Sequence, residues 1–532
     1  LPLVHMVTDG VSFNTLHGLK EEIDGCFMRD TLTPLGDNRS LSFVIDKYGN
    51  EIDSLSFEVR SIDGTRLVEK TDITSYKESG DSITAGITVK DLIEQDVEYN
   101  WILLITVQGE TLRYYTRIID TSDYHLTEKL NFITDFHDKT FDAERVNELS
   151  TYMESNSKGD NTTLAKVDIH CSLSQVGWAG LNVKQETDSD IIVSEIDGQT
   201  AALRNNYIVS ISEGKQKNYY NISEYYRIRY TTDRMYLLDF ERTMDQIFDP
   251  QADVYASNKI MLGIRQNAVE MMESDGGSNL AFINENQLFC YHSADKKMAC
   301  LFGFYDKNSN GYDIRTTYDH HGIKILNVDE TGNVTFMVYG YMNRGIHEGT
   351  VGILVYEYNG MLNTIEEQIF IPCNEAYAVL KADVEQLSFV NKSGILYLYL
   401  DGSILAIDLL QGSYSEIATQ VQEGSFQVSQ KEEMLVWQNS ADAYDCTRLI
   451  LMNLNTGNMR EISATGNNRM MPLGFMNEDL IYGVADYNDI RRDSSGSITF
   501  PMYAVYIQNE RGDVLKSYKQ QGIYVVGSSV KD

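Results

Sequence analysis

The sequence predicts a mainly β protein, with an N-terminal immunoglobulin-like β-sandwich, a helical connector, a second β module and a C-terminal divergent β-propeller. Three observations carry this. Short alternating apolar segments, punctuated by Gly, Asn and Asp turns, run through most of the 532 residues and favour strands over helices. Tyr, at 34 residues, outnumbers Phe at 19, and with Ile, Val and Thr it supplies side chains that suit half-buried pleated surfaces. The C-terminal half repeats with a period of roughly 40 to 50 residues, each unit reading as four strands, which is the mark of propeller blades.

Taken in order, residues 1–37 read as an irregular leader. Leu16, Leu19, Ile23 and Phe27 lie at helical spacing and predict a short helix over 14–30. Residues 38–122 hold about six strands, and Asp63-Gly64 and Gln108-Gly109 mark tight hairpins because Gly supplies positive φ. No Cys…Trp…Cys framework occurs there, so an antibody-type domain is excluded. Residues 123–158 change period: Leu126, Leu130, Ile133 and Phe136 form one stripe, and Val146, Leu149, Tyr152 and Met153 a second. They predict a helical pair acting as a connector, with Asp142 as N-cap. Residues 159–255 return to strands, with turns at Asp197-Gly198 and Asn205-Asn206 and a short helix over FERTMDQIF, 240–248.

The propeller is placed at 256–532. Its units are 279–303, 333–372, 388–419, 424–463 and 471–517, and phrases such as DGSILAIDLLQG (401–412) and LILMNLNTG (449–457) recur. Region 255–275 is expected to supply strands of a further blade, and GIYVVGSSV (522–530) to close the ring with an early blade. WD dipeptides and kelch double glycines are missing, hence a divergent propeller.

Composition narrows the function classes. Lys+Arg 44 against Asp+Glu 78 gives a net charge of −34, a field that repels phosphate backbones, and no basic patch offsets it, so no nucleic acid is expected as a partner. No apolar run reaches the about 18 residues of a membrane span. The six cysteines form no CxxC pair, which argues against a zinc ribbon or a thioredoxin-type site. Cys290 and Cys300 flank a hairpin and read as separate thiols rather than a disulfide. The opening LPLVHMVTDG has no initiator Met, basic n-region or apolar leader, which fits either removal of a signal or anchor segment or a native start near Met6 behind a tag remnant. The acidic charge, Tyr-rich strands and long β content favour a trimmed extracytoplasmic protein.

Candidate site residues are few. Tyr339, Tyr341, Asn343, Arg344, His347 and Glu348 crowd beside glycines; Arg and Tyr are enriched at binding hot spots and Gly permits close approach, so this segment is the expected binding loop. Asp306, Asn308 and Asn310 lie at alternate positions before Gly311, in the manner of a calcium turn whose twelfth-position carboxylate is replaced by Thr317; otherwise no cofactor is expected. His320 or His321 with His347 and a carboxylate would make a transition-metal site, although neighbouring strand residues point to opposite faces. The paired tyrosines Tyr219-Tyr220 and Tyr225-Tyr226 offer stacking faces or half-buried strand positions. Hydrolase, metalloprotease, Walker and dinucleotide motifs are all missing.

The strings SFEVRSIDGTRLVE (56–69) and VYGYMNRGIHEG (338–349), within a sandwich-plus-propeller organisation, resemble large membrane-anchored ectodomains of Gram-positive anaerobes. That resemblance implies a cell-surface location and transfers no catalytic residue. The expected function is an extracytoplasmic binding or scaffold protein that presents a propeller face to a protein or an envelope polysaccharide. The alternatives are a carbohydrate-active hydrolase or lyase using acidic residues in the propeller cavity, and an accessory sensor of a membrane signalling protein.

Overall fold

The structure is a computed structural model that describes the chain except for residues 122–123, 215, 251–254, 257–258, 261–268, 306–311, 423, 441, 493–497 and 531–532. The chain divides into two compact units. One comprises Leu1–Ile353, Tyr358–Ile365 and Ile371–Tyr377; the other comprises Leu354–Glu357, Glu366–Phe370 and Ala378–Asp532. As the sequence predicts, the fold is mainly β, and among the described residues no helix is long and apolar enough to cross a membrane.

The first unit begins with a two-sheet sandwich. Its strands are β1 (Leu3–Thr8), β2 (Val11–His17), β3 (Leu32–Pro34), β4 (Ser40–Asp46), β5 (Ile52–Ser61), β6 (Leu67–Asp72), β7 (Tyr76–Ser79), β8 (Ser82–Thr88), β9 (Glu98–Val107) and β10 (Glu110–Ile119). One sheet runs β2-β1-β4-β8-β7, the other β3-β10-β9-β5-β6. Alternate residues face inward, and Trp101 packs between Phe43 and Phe57 at ring-centroid distances of 5.5 and 6.2 Å. Fully burying each such side chain stabilises the fold by about 1.5–3 kcal/mol. The expected glycine turns are present: Gln108-Gly109 has φ of 50° and 81°, the geometry of a two-residue hairpin whose twist matches its strands.

Residues 1–37 differ from expectation. Instead of an irregular leader with a helix, they contribute β1, β2 and β3, and only Gly25–Phe27 forms a single 3-10 turn. Leu16, Leu19 and Ile23 are buried as expected, while Phe27 is exposed. The helical spacing is coincidental: Leu16 sits in β2, and Leu19 bonds backbone to backbone with Arg113 of β10. Tertiary pairing overrides a local period when the apolar positions find a sheet to cover.

Helix α1 (Leu126–Phe141) buries Leu130, Ile133 and Phe136, the predicted stripe. The second predicted helix is a 3-10 segment, Val146–Thr151. Asp142 ends α1, and its carboxylate accepts from the backbone N–H of Glu144 and Arg145, so it caps the turn between the two. Beyond it lie β11 (Lys166–Asp168), β12 (Val183–Gln185), β13 (Asp190–Ile196), β14 (Thr200–Glu213), β15 (Gln216–Tyr230) and β16 (Met235–Ile247), ordered β11-β16-β15-β14-β12 with β13 also on β14. The helix expected at 240–248 is strand: β16 pairs with β15 from Met235 to Ile247, and Phe240, Met244 and Phe248 mimicked a helical stripe. Asn205-Asn206 is not a turn but the middle of β14, because Asn205 is held in a buried polar network. One continuous apolar core runs from Val4 through α1 to Phe240.

Five four-stranded antiparallel sheets follow, the repeating unit of a propeller. They span Met271–Phe302, His321–Pro372, Ser388–Ala418, Phe426–Ser463 and Asn468–Tyr518. The recurring phrases have a physical origin. In the second, third and fourth sheets the first hairpin turn is closed by one side chain: Asp329 accepts from the N–H of Thr331 and Asn333, Asn391 from Ser393 and Ile395, and Ser429 from Glu433 and Met434. The third strand ends in the same way, with Asn359, Asp408 and Asn453 each accepting from the N–H two and three residues on. Short polar side chains that imitate a backbone turn are the reason these residue types recur.

Two expectations about the ends of this region change. Of the region expected to supply a further blade, Met271–Glu273 joins the first sheet, while 257–258 and 261–268 lie outside the described residues. Among the described residues the terminal GIYVVGSSV segment pairs with no early blade; Val525 bridges Met502, beside the fifth sheet. Cys290 opposes Ala299 and Cys300 opposes Phe289, so the two sulfurs lie on opposite faces, and neither is in a disulfide.

Candidate binding site

The expected binding loop is largely occupied by its own molecule. Tyr341 is buried, and its hydroxyl donates to the Gly18 carbonyl at 2.9 Å. Asn343 is buried and donates to the carbonyls of Thr316 and Tyr318. Tyr339 packs its ring on Gly322 and stacks with Tyr377 at 6.2 Å. Glu348 accepts from the Leu1 nitrogen at 2.6 Å, and the Gly349 carbonyl accepts from the Lys20 N–H. Arg344 remains partly exposed, 3.9 Å from Asp313. His347 lies in the same loop.

The histidines are separated. His320 bonds Asp30 at 2.9 Å and stacks on Tyr318 at 4.3 Å, and Tyr318 stacks on His17 on its other side. His321 turns into the interior against Phe304, where burial holds its pKa down to about 4. Among the described residues no group of three or more His, Cys, Asp or Glu is arranged to hold a metal ion. The predicted calcium positions Asp306, Asn308 and Asn310 lie outside the described residues.

A second polar cluster is wholly interior. Glu224 accepts from the hydroxyls of Tyr207 and Tyr226 at 2.8 and 2.9 Å and pairs with His137 at 3.1 Å. Burial pushes its pKa up, but these donors and nearby Arg242 outweigh it and hold the carboxyl below its usual value. Fully desolvated and covered by α1, this network fixes β14, β15 and β16 rather than meeting a ligand.

An open cleft lies instead on the outer face of the β3-β10-β9-β5-β6 sheet. It holds about 320 Å³. Inward-facing Phe57, Trp101, Leu103 and Tyr114 fill the sandwich core, so the alternate residues necessarily face outward. Cross-strand pairing arranges these outward residues in rows: Thr111 beside Thr106; Arg113 beside Leu104 and Ser56; Tyr115 beside Ile102 and Glu58. The chain between β2 and β3 forms one wall, tied down where the Ile23 N–H donates to the Tyr115 hydroxyl at 3.2 Å. Burial pushes the Tyr115 pKa up to about 12, so its own proton stays available to donate.

The charges of the cleft are unevenly matched. Glu58 takes Arg60 at 2.8 Å and Lys70 at 2.9 Å. Burial opposes ionisation of Glu58, but the two cations prevail and keep its pKa below the usual carboxylate value. Arg113 donates from one nitrogen to the carbonyls of Lys20 and Thr111, at 2.8 and 3.3 Å. Among the described residues it has no ion-pair partner. Sequence reading missed this cleft because its residues come from β5, β6, β9 and β10 and look like ordinary strand alternation. The one available signal was the Arg-Tyr-Tyr-Thr-Arg run at 113–117, whose odd members share a face.

No family model matches the chain, and no curated protein matches it. Solved structures are similar at low level. One is the Porphyromonas gingivalis dipeptidyl peptidase 4, 10% identical with a TM-score of 0.22, covering 48% of this chain and 47% of that one. Another is the tricorn protease, 10% identical with a TM-score of 0.25, covering 90% and 40%. A third is a post-proline cleaving enzyme from Rickettsia typhi, 11% identical with a TM-score of 0.28, covering 64% and 45%. The chain thus spans less than half the length of each of these three.

Proposed function

We propose that this protein is an extracytoplasmic, membrane-anchored binding protein whose ligand lies in the sandwich cleft, with an envelope polysaccharide or a protein as partner. The observation that supports it is Arg113, a guanidinium aimed by two backbone carbonyls and left without a counter-ion at an open cavity of a chain with net charge −34. An oriented, uncompensated donor is what recognition requires. Glu58, anchored by two cations, stays ionised and is unsuited to give up a proton to a leaving group. The extracytoplasmic placement rests on the resemblance of the 56–69 and 338–349 strings.

The test uses the full chain with solubilised envelope polysaccharide fractions, following retention and the release of reducing ends together. Retention without product, lost in Thr106→Trp, which fills the cleft, supports the reading. Accumulating product, or retention indifferent to Thr106→Trp, overturns it in favour of a hydrolase or of another surface.

A further inference from the structure

We infer that the ligand of the cleft is a carboxylated polysaccharide lying across the strands, with a sugar carboxylate seated on Arg113; this rests on the cleft being the binding site. The backbone argues for a glycan over a peptide. Along the cleft β5 and β9 are paired on both sides, and the far side of β10 is closed by Leu19 at Arg113 and by β3 at Arg117–Ile119, so most of the backbone N–H and C=O groups are spent in ladders. An extended peptide seeks an open sheet edge to complete those ladders. A sheet face offers only side chains, and here these are hydroxyls of Ser56, Thr106 and Thr111 beside Ile102 and Leu104. Hydroxyls set one strand apart, about 4.8 Å, suit the polar edge of a sugar chain, and the two aliphatic residues suit its C–H face.

The sign of the ligand follows from the charge accounting. The cleft sets Arg60, Lys70 and Arg113 against Glu22 and Glu58, one positive charge in excess. Arg60 and Lys70 are held on Glu58, which leaves Arg113 as the cation without an ion pair to meet an anion, and a planar guanidinium matches a carboxylate with two parallel N–H donors. Glu22 also lines the cleft and opposes any second carboxylate placed near it. The ligand is therefore engaged at one carboxylate rather than along a uniformly cationic groove.

Calorimetry on the full chain tests this with three probes: a galacturonic acid hexamer, its methyl ester, and cellohexaose. The acid is expected to bind at least tenfold more tightly than the ester or the neutral hexamer. Arg113→Gln should remove that preference, Arg113→Lys should restore part of it, and Glu22→Gln should strengthen acid binding. Equal binding of acid and ester, abolished by Thr106→Trp, overturns the carboxylate while leaving the cleft intact. Binding of polyglutamate in place of every glycan overturns the polysaccharide. Binding of no probe overturns the inference as well. Glycan binding unchanged by Thr106→Trp overturns the cleft itself.

Discussion

His17 lies flat on Tyr318, with ring centroids 3.6 Å apart and planes 16° from parallel. This contact joins the sandwich strand β2 to the segment before the second four-stranded sheet, and Tyr341 closes it edge-on at 5.2 Å from Tyr318. Burial, followed by the nearness of His320, His5 and Arg315, holds the His17 pKa well below its usual value.

The junction should therefore be acid-sensitive. Below the unfolded pKa of about 6.5 the unfolded chain takes up a proton that the folded His17 refuses, so stability falls as pH falls. His5 acts in the same direction, because its burial outweighs the attraction of Asp46. Melting temperature should drop between about pH 7 and about pH 5, and His17→Phe, which keeps a ring on Tyr318, should reduce that drop. An identical pH slope in the variant would show that this imidazole is not responsible.

Glu224→Leu should destabilise the β14–β16 sheet by about 3–5 kcal/mol, because it strands the buried His137 and Arg242 without their anion. Denaturant unfolding followed by Trp178 fluorescence reports on it, since Arg242 lies 3.5 Å from that ring. A loss under about 1 kcal/mol would place the network's value elsewhere.

Gly340→Ala should be costly although it adds one methyl group. Gly340 has φ of 110°, and a Cβ there would lie 2.5 Å from the His320 carbonyl, a contact that only a backbone shift relieves. Arg344→Ala in the same segment should change stability by no more than about 1 kcal/mol, since its pairing with Asp313 is long and partly exposed. Melting curves of the two variants compare the cases directly.

Without reductant, denatured protein should titrate as six thiols. In the native state exposed Cys300 should alkylate first, while Cys290, whose pKa burial pushes up to about 12, should wait for unfolding. A mass two hydrogens short of the fully reduced chain would contradict the opposite-face register.

Strand-rich regions were legible in the sequence wherever turn chemistry was local. Gln108-Gly109 and the units containing Asp408 and Asn453 announce their hairpins within a few residues. What escaped was set by distant partners. Leu16 and Leu19 read as helix until β1 is known to pair with the first and β10 with the second, and FERTMDQIF reads as helix until β15 pairs along it. The same limit applies to the site. Tyr341 and Arg344 look alike in a list of loop residues, yet one is spent on Gly18 and the other faces solvent in part. Arg113 drew no notice because its isolation from anions is a property of the folded sheet.

The self-closing turns of the repeated sheets bear on the order in which the protein is made. A hairpin whose turn is sealed by an acceptor two to four residues away forms with little loop-closure entropy and depends on no remote segment. The sandwich is the opposite case, since β3 must await β10 for its parallel partner. On dilution from denaturant, amides of the four-stranded sheets should regain exchange protection early, with Leu32–Pro34 among the last to do so.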